Sequence, residues 1–358
     1  MQSPERLAAE LLRQGSRACA IAAMAELAQR SPAVAARGLP STFADPVEDT
    51  RVRLLTLAEA LDVDRPALLA SQLAWYKVAL AHRGVAPEYL PANLAAMRVA
   101  LHANLPAPCR PAIDRHLDAA AARLAVAPAE LPSWLEAESP HRDLARRFLL
   151  AALENRRDDA IGLVLGAHRG GASVAELHDH VLALAQREVG RMWLMAEIPI
   201  ADEHYTSRLV ETCMDRLAAV APRAPSRGQR VLTAAVGGDL HAIGVRMVAE
   251  RFALAGFEVI DLGADLPADD LPWLLQDRRV DVVALGATLV LHLGSLRAAI
   301  AGLRALGPAC PPILVGGGPF AEVPDLHTVL GADAAAVDPA AAVRAAEALL
   351  RTRRPPTP

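Results

Sequence analysis

Five apolar runs of strand length, residues 231–236, 257–262, 280–285, 313–315 and 332–337, recur in the last third of this chain. Helical stretches at about 242–255, 271–276, 296–306 and 340–351 lie between and after them, with a shorter piece near Leu326. Strands that are apolar on both faces have no solvent side, so they belong to a parallel sheet covered by helices front and back. Five such units within ~125 residues suit a doubly wound, flavodoxin-like domain that takes its ligands at the carboxyl ends of its strands. We place it over residues 229–352, behind a short linker of proline, arginine, serine and glycine at 222–230.

Everything before that linker reads as helix. Up to residue 135, prolines separate segments whose apolar residues recur at three- and four-residue steps: Leu69, Leu73, Tyr76, Leu80; Leu90, Leu94, Met97, Leu101; Ile113, Leu117, Ala120, Leu124. Ser3-Pro4-Glu5 supplies an N-cap with proline at the first helical position. The spacing predicts an N-terminal helical domain over 1–135, with a looser stretch at 38–46. A proline-bearing connection leads to helices beginning near Leu144 and Ala160. A third opens at the capping box Ser173-Val174-Ala175-Glu176 and runs through Leu177, Val181, Leu184 and Val189 to Trp193. Pro199 opens the fourth, which carries Leu209, Cys213, Leu217 and Val220. Short connections between four helices predict a four-helix bundle over 140–222. The expected fold class is therefore α plus α/β.

Bulk properties remove several function classes. A net charge of −4 does not suit a nucleic-acid surface. Cys19, Cys109, Cys213 and Cys310 are too far apart for a zinc or iron–sulfur motif. The longest uncharged apolar stretch, 282–296, falls short of the ~18 residues of a membrane span. Glu5 and Arg6 interrupt any secretory signal, so a cytoplasmic protein with no membrane segment is expected.

The run that carries chemistry is Gly237-Gly238-Asp239-Leu240-His241-Ala242-Ile243-Gly244, in the loop after the first strand. Glycines let backbone pass close to a bulky group. An imidazole two residues beyond a carboxylate can donate one ring nitrogen to it and offer the other to a metal. This Asp-x-His-x-x-Gly pattern resembles the signature of cobalamin-binding domains of the methionine synthase and mutase type. The resemblance implies His241 as the lower ligand of cobalt and Asp239 as its hydrogen-bond partner, with Gly244 permitting close approach. Gly316 and Gly317, followed by Gly318, match the family's second glycine cluster, which leaves room for the nucleotide tail. Where the family often has Ser-x-Leu after the third strand, this chain reads Gly286-Ala287-Thr288-Leu289, so the resemblance implies either Thr288 as the substitute hydroxyl or a tail without that contact.

In such proteins a four-helix bundle caps the upper face of the corrin. Here Trp193 is followed, after nine residues, by Glu203-His204. That spacing resembles the adenosylcobalamin photoreceptors of the CarH type, in which the tryptophan and glutamate enclose the adenosyl group. Leu194 departs from the histidine found there, so the same cobalt capture after photolysis is not expected from that position; His204, His178, His180 or water would have to take its place. The N-terminal helices, with Trp75, Tyr76 and His82, resemble in pattern the photocobilins, which hold biliverdin beside cobalamin. That likeness implies His82, His102, His116 and Arg98 as contacts for a tetrapyrrole, and Cys19 or Cys109 as an attachment point. The combined expectation is a non-enzymatic light sensor binding adenosylcobalamin (and so cobalt) and biliverdin, with light-dependent homo-oligomers and a protein signalling partner. Two alternatives stand beside it: a corrinoid carrier of a methyltransferase system, and an anti-repressor that binds a transcription factor.

Overall fold

The computed structural model describes residues 3–39, 45–222 and 224–353. Most of the loose stretch expected at 38–46 lies outside those residues. The N-terminal region is built from α1 (Pro4–Arg30), α2 (Pro32–Arg37), α3 (Pro46–Asp62), α4 (Pro66–Ala81), α5 (Tyr89–Asn104) and α6 (Arg110–Val126). Helices α1 to α4 each begin on proline, whose missing N–H costs nothing in a first turn. The Ser3 hydroxyl accepts from the Arg6 N–H at 3.3 Å, as its position before Pro4 predicts.

The bundle comprises α7 (Arg142–Leu153), α8 (Arg157–Arg169), a composite third helix and α11 (Ile200–Val220). That third helix is not one regular element. It opens as α9 (Val174–Leu177), widens into a π-turn over His178–Leu182, and resumes as α10 (Ala183–Leu194). Both arms of the Ser173–Glu176 capping box are made.

The last region runs β1 (Arg230–Ala235), α12 (Ala242–Leu254), β2 (Glu258–Asp261), α13 (Asp270–Asp277), β3 (Val282–Gly286), α14 (Leu293–Arg304), β4 (Ile313–Gly316), α15 (Gly318–Glu322), α16 (Leu326–Leu330), β5 (Ala334–Ala336) and α17 (Pro339–Arg353). All strands are parallel in the order β2-β1-β3-β4-β5, the five-stranded, doubly wound sheet expected from the sequence. Some bounds move. The helix expected from 296 starts at Leu293, because a 3-10 turn at Val290–His292 feeds directly into it. The edge strands β2 and β5 are shorter than their apolar runs.

Order reverses between β1 and β3, and the crevice of such a sheet opens there. Its carboxyl edge is lined in register by Ala235, Gly286, Gly316 and Ala336. A row of residues with little or no side chain leaves that edge uncovered from the inside.

Among the described residues, the other face of the sheet is covered by a cluster around Phe252, Leu314 and Ala346, and two larger apolar cores hold the rest. One is continuous from the N-terminal helices into one face of the sheet, joining Leu54, Leu57 and Leu68 to Leu285, Leu293 and Leu296. The bundle has its own, around Phe148, Val164, Leu177 and Met214, which reaches the sheet region at Met247 of α12. Among the described residues no helix is long and apolar enough to cross a membrane.

Candidate functional site

The loop between β1 and α12 is held by its own backbone and one acid from the β2–α13 connection. Gly238 sits at φ +86°, a conformation that glycine alone adopts freely. Its N–H donates to Asp265 Oδ1 at 2.7 Å, and the Asp265 N–H returns a bond to the Asp239 carbonyl at 3.1 Å. This cross-brace turns Asp239 inward, where its side chain has no exposed surface.

Inside, Asp239 Oδ1 accepts from the backbone N–H of His241 at 3.1 Å and from His241 Nδ1 at 2.8 Å. Asp239 Oδ2 accepts from the Thr288 N–H at 2.6 Å and stands 3.3 Å from His292 Nδ1. Burial by itself would push this carboxyl up. The donors from His241, His292 and the Thr288 backbone override it and hold Asp239 far below the ordinary carboxylate range. A permanently ionised Asp239 fixes the proton of His241 on Nδ1 and leaves Nε2 as the acceptor. The hydrogen bond to Asp239 raises the His241 pKa; desolvation opposes it, and the charges of Asp239 and Glu203 add to it. The ring is 57% exposed, so Nε2 is accessible.

His241 opens onto a cavity of about 720 Å³ between the sheet's carboxyl edge and the bundle. Gly244, Thr288, Gly316 and Gly317 line it together with the small-residue row Ala235, Gly286 and Ala336. No heavy atom stands within 4 Å of where a Cβ on Gly244 would lie. Gly317 is required for a different reason: at φ +117°, a Cβ there would sit 2.1 Å from the Ala287 carbonyl oxygen. From the bundle side the cavity is closed by His180, Leu184, Gln186 and Arg187, and from the connecting segment by Trp134 and Glu138.

The residues singled out at the bundle's helix junction take separate places. Glu203 Oε1 accepts from Gln186 Nε2 at 3.3 Å and from Ser207 Oγ at 2.7 Å, so it is tied to the cavity wall through Gln186. His204, 3.6 Å from Glu203, is 72% exposed. Trp193 is half-buried and does not line the cavity; it packs beside Trp75, ring centroids 6.3 Å apart, and under the Arg83 guanidinium at 5.3 Å. Leu194 is buried beneath it. His178 is buried against Glu250 of α12, whereas His180 faces the cavity.

The tetrapyrrole contacts suggested for the N-terminal region are already engaged. His116 is buried with its ring nitrogens on the Ala112 and Ala60 carbonyls, and His82 Nε2 meets the Ala129 carbonyl at 3.1 Å. Arg98 pairs with Asp114 and Asp118, and His102 with Asp114. Cys19 and Cys109 are buried free thiols whose pKa burial raises, the opposite of what a nucleophilic thiol needs.

Sequence reasoning missed three members of the site: His292, Asp265 and Gln186. His292 left a trace, as an imidazole inside an otherwise apolar run. Asp265 and Gln186 left none, because their partners are distant in sequence.

An anchored imidazole with a free acceptor, above a groove floored by alanine and glycine, fits a cobalt and a flat nucleotide tail. Among the described residues no group of three or more metal-ligating side chains is assembled. Residues 229–347 match the B12 binding domain, and residues 144–218 match a second family of the same description. This is a cobalamin-binding protein.

This cobalamin-binding chain is 27% identical over 178 residues to the HTH-type transcriptional repressor CarH of Myxococcus xanthus, covering 50% of this chain and 59% of the repressor. It therefore spans little more than half of that relative's length. It is 25% identical over 205 residues to dimethylamine corrinoid protein 1 of Methanosarcina acetivorans, covering 56% of this chain and 95% of that protein. Among solved structures, the monomethylamine corrinoid protein of Methanosarcina barkeri superposes with a TM-score of 0.51 at 19% identity, over 59% of this chain and 99% of that one. That likeness shows the shared fold of bundle and parallel sheet.

Proposed function

We propose that this protein is a light-responsive cobalamin sensor that holds adenosylcobalamin between bundle and sheet region. The observation that carries this reading is the Trp193/Glu203-His204 spacing at the junction of α10 and α11, with the Glu203 carboxylate held by Ser207 and by Gln186, which lines the cavity. When bound, the cofactor supplies a cobalt–carbon bond that visible light breaks. His241 would hold the cobalt from below, oriented by Asp239. The row Gly244, Thr288, Gly316 and Gly317 would admit the nucleotide tail. Glu203 would accept hydrogen bonds from ribose hydroxyls, and the Trp193 indole would offer an apolar face to the adenine. His204 is carried over from the same motif and stands next to Glu203. The likeness to a transcriptional repressor supports a signalling role, exercised through light-dependent self-association or through a protein partner such as a transcription factor held by an anti-repressor.

One other reading has its own support. The alignment with dimethylamine corrinoid protein 1 runs through both matched regions of this chain and covers 95% of that relative. A methyl-carrying corrinoid protein would use the same His241 and Asp239 but would need only a small apolar cap above cobalt.

Biliverdin, as a second chromophore, would belong in the apolar cavity of about 460 Å³ between α4, α5 and α6, whose lining includes Lys77 and Arg98. A red-absorbing band on biliverdin addition tests that component separately.

The deciding experiment is dark reconstitution with adenosylcobalamin or methylcobalamin, followed by absorption spectra and gel filtration before and after green light. A sensor binds the adenosyl form in preference, converts spectrally on illumination and changes its oligomeric state. Preference for the methyl form, with methyl transfer to an acceptor protein, would establish the carrier instead. His241→Ala should abolish the spectrum of histidine-ligated cobalamin under either reading.

A further inference from the structure

We propose that Arg83 and Trp75, which belong to the N-terminal helical region, are positioning residues for Trp193, which stands outside the cavity lining, so that this region sets where the indole lies when the adenosyl group binds. The inference rests on the reading of Trp193 as the residue that faces the adenosyl group.

Arg83 stands just beyond the end of α4. Its Nη2 donates to the Trp193 carbonyl at 2.8 Å and its Nη1 to the Leu194 carbonyl at 2.6 Å, while Nη1 also reaches the Ala79 carbonyl at 3.0 Å. Leu194 is the last residue of α10, so these are carbonyls at the helix end, where intrahelical partners run out and a cation is favoured. The chain then reverses at Ala196, at φ +56°. The same guanidinium lies over the Trp193 ring, 5.3 Å from its centroid. Trp75 flanks that ring at 6.3 Å with planes tilted by 36°. Below them Val78, Ala79 and Leu194 form a small buried cluster joined by Leu131 and Met195.

Main chain and ring of Trp193 are thus both gripped by one side chain from another part of the protein. A helix-terminal indole otherwise has a choice of rotamers and a fraying turn beneath it. Fixing it before the ligand arrives removes an ordering cost from binding. Coupling of this kind is reciprocal: a ligand that packs on Trp193 must steady α4 by the same factor.

The test measures affinity for adenosylcobalamin and for hydroxocobalamin, which lacks the adenosyl group, by spectral titration of the full chain in the dark. Trp193→Ala, Arg83→Ala, Arg83→Lys and the Arg83/Trp193 double variant are compared, with the thermal midpoint recorded for each. Arg83→Ala should weaken adenosylcobalamin about tenfold and leave hydroxocobalamin within about twofold. Arg83→Lys, which keeps a cation but loses the planar fork, should fall between. The double variant should be hardly worse than Trp193→Ala, because the two act as one unit. Hydrogen exchange in α4 should slow when the adenosyl form binds and respond less to the hydroxo form.

The failures separate. If Trp193→Ala leaves the ratio of the two affinities unchanged, the upper-face reading itself is wrong. If Trp193→Ala lowers that ratio and Arg83→Ala does not, only the positioning role falls. If Arg83→Ala weakens both ligands equally, Arg83 is a general docking contact and the proposal is overturned.

Discussion

Asp239 shows how much one buried side chain can organise. Its two oxygens take donors from His241 and Thr288, and His292 stands against the second, in a place with no access to water. Asp239→Asn keeps the shape but replaces one acceptor by a donor, which must then face an N–H. Cofactor-free Asp239→Asn should lose about 2 kcal/mol in urea unfolding, the cost of leaving a buried donor unmet. Gly317→Ala should cost more, about 3 kcal/mol or above, because its Cβ collides with the Ala287 carbonyl in a conformation alanine avoids. A melting temperature within a degree or two of wild type would contradict that. At this scale the sequence was informative where chemistry is compressed into a few positions: Asp239, His241 and Gly244 lie within one short loop. His292 meets the same carboxylate from a different loop, and nothing in its local sequence states that the two loops touch.

At the scale of elements, the third bundle helix is the informative one. Its capping box and apolar spacing make it legible as a helix, but the π-turn at His178–Leu182 is invisible to a periodicity argument, since the helical phase resumes on both sides. The widened turn carries His178, which is 1% exposed and 3.3 Å from Glu250 Oε2 of α12. Asp179, the next residue, pairs with Arg251 of the same helix at 2.7 Å. The bundle therefore meets the helix just after His241 through this turn. Burial holds His178 neutral, with a pKa lowered to about 4, and nearby Arg251 adds to the effect. Burial also raises the Glu250 carboxyl. For His178 the folded value lies below the unfolded one of ~6.5, so the unfolded chain binds the proton first and stability falls as pH drops from ~6.5 toward about 4. Between pH 7 and pH 5 the histidine alone should remove up to about 2 kcal/mol. Glu250 works in the opposite sense above its unfolded pKa, because its folded form takes up a proton earlier. His178→Leu isolates the histidine: its unfolding free energy should change less between those two pH values than that of wild type. An equal change in both proteins would mean that His178 is not the group being charged.

The whole molecule is divided differently from its chain. Composition and periodicity separate three segments. The packing does not, because an apolar stripe records which face of a helix is buried and says nothing about which element buries it. Helices α3 and α4 pack on the turn Val290–His292, and Glu59 is seated against Gly294, with a carboxylate oxygen 3.2 Å from where a Cβ would lie. Arg297 of α14 reaches Asp62 of α3 across the same junction, and Arg13 of α1 meets that carboxylate from its own side. The first and last segments thus share a core while the bundle between them keeps its own. Cooperative units track shared cores rather than sequence order. Leu293, fully buried in the common core, is the place to ask. Leu293→Ala should cost about 2–5 kcal/mol. In hydrogen exchange monitored by mass spectrometry under increasing denaturant, protection of α3 and of α14 should fall at one lowered midpoint. Protection of α8 in the bundle should keep its wild-type midpoint. If α14 shifts and α3 does not, the N-terminal helices are a separately stable unit resting on the sheet region. In that case the grip of Arg83 on Trp193 would be a contact between independent bodies rather than part of one cooperative structure.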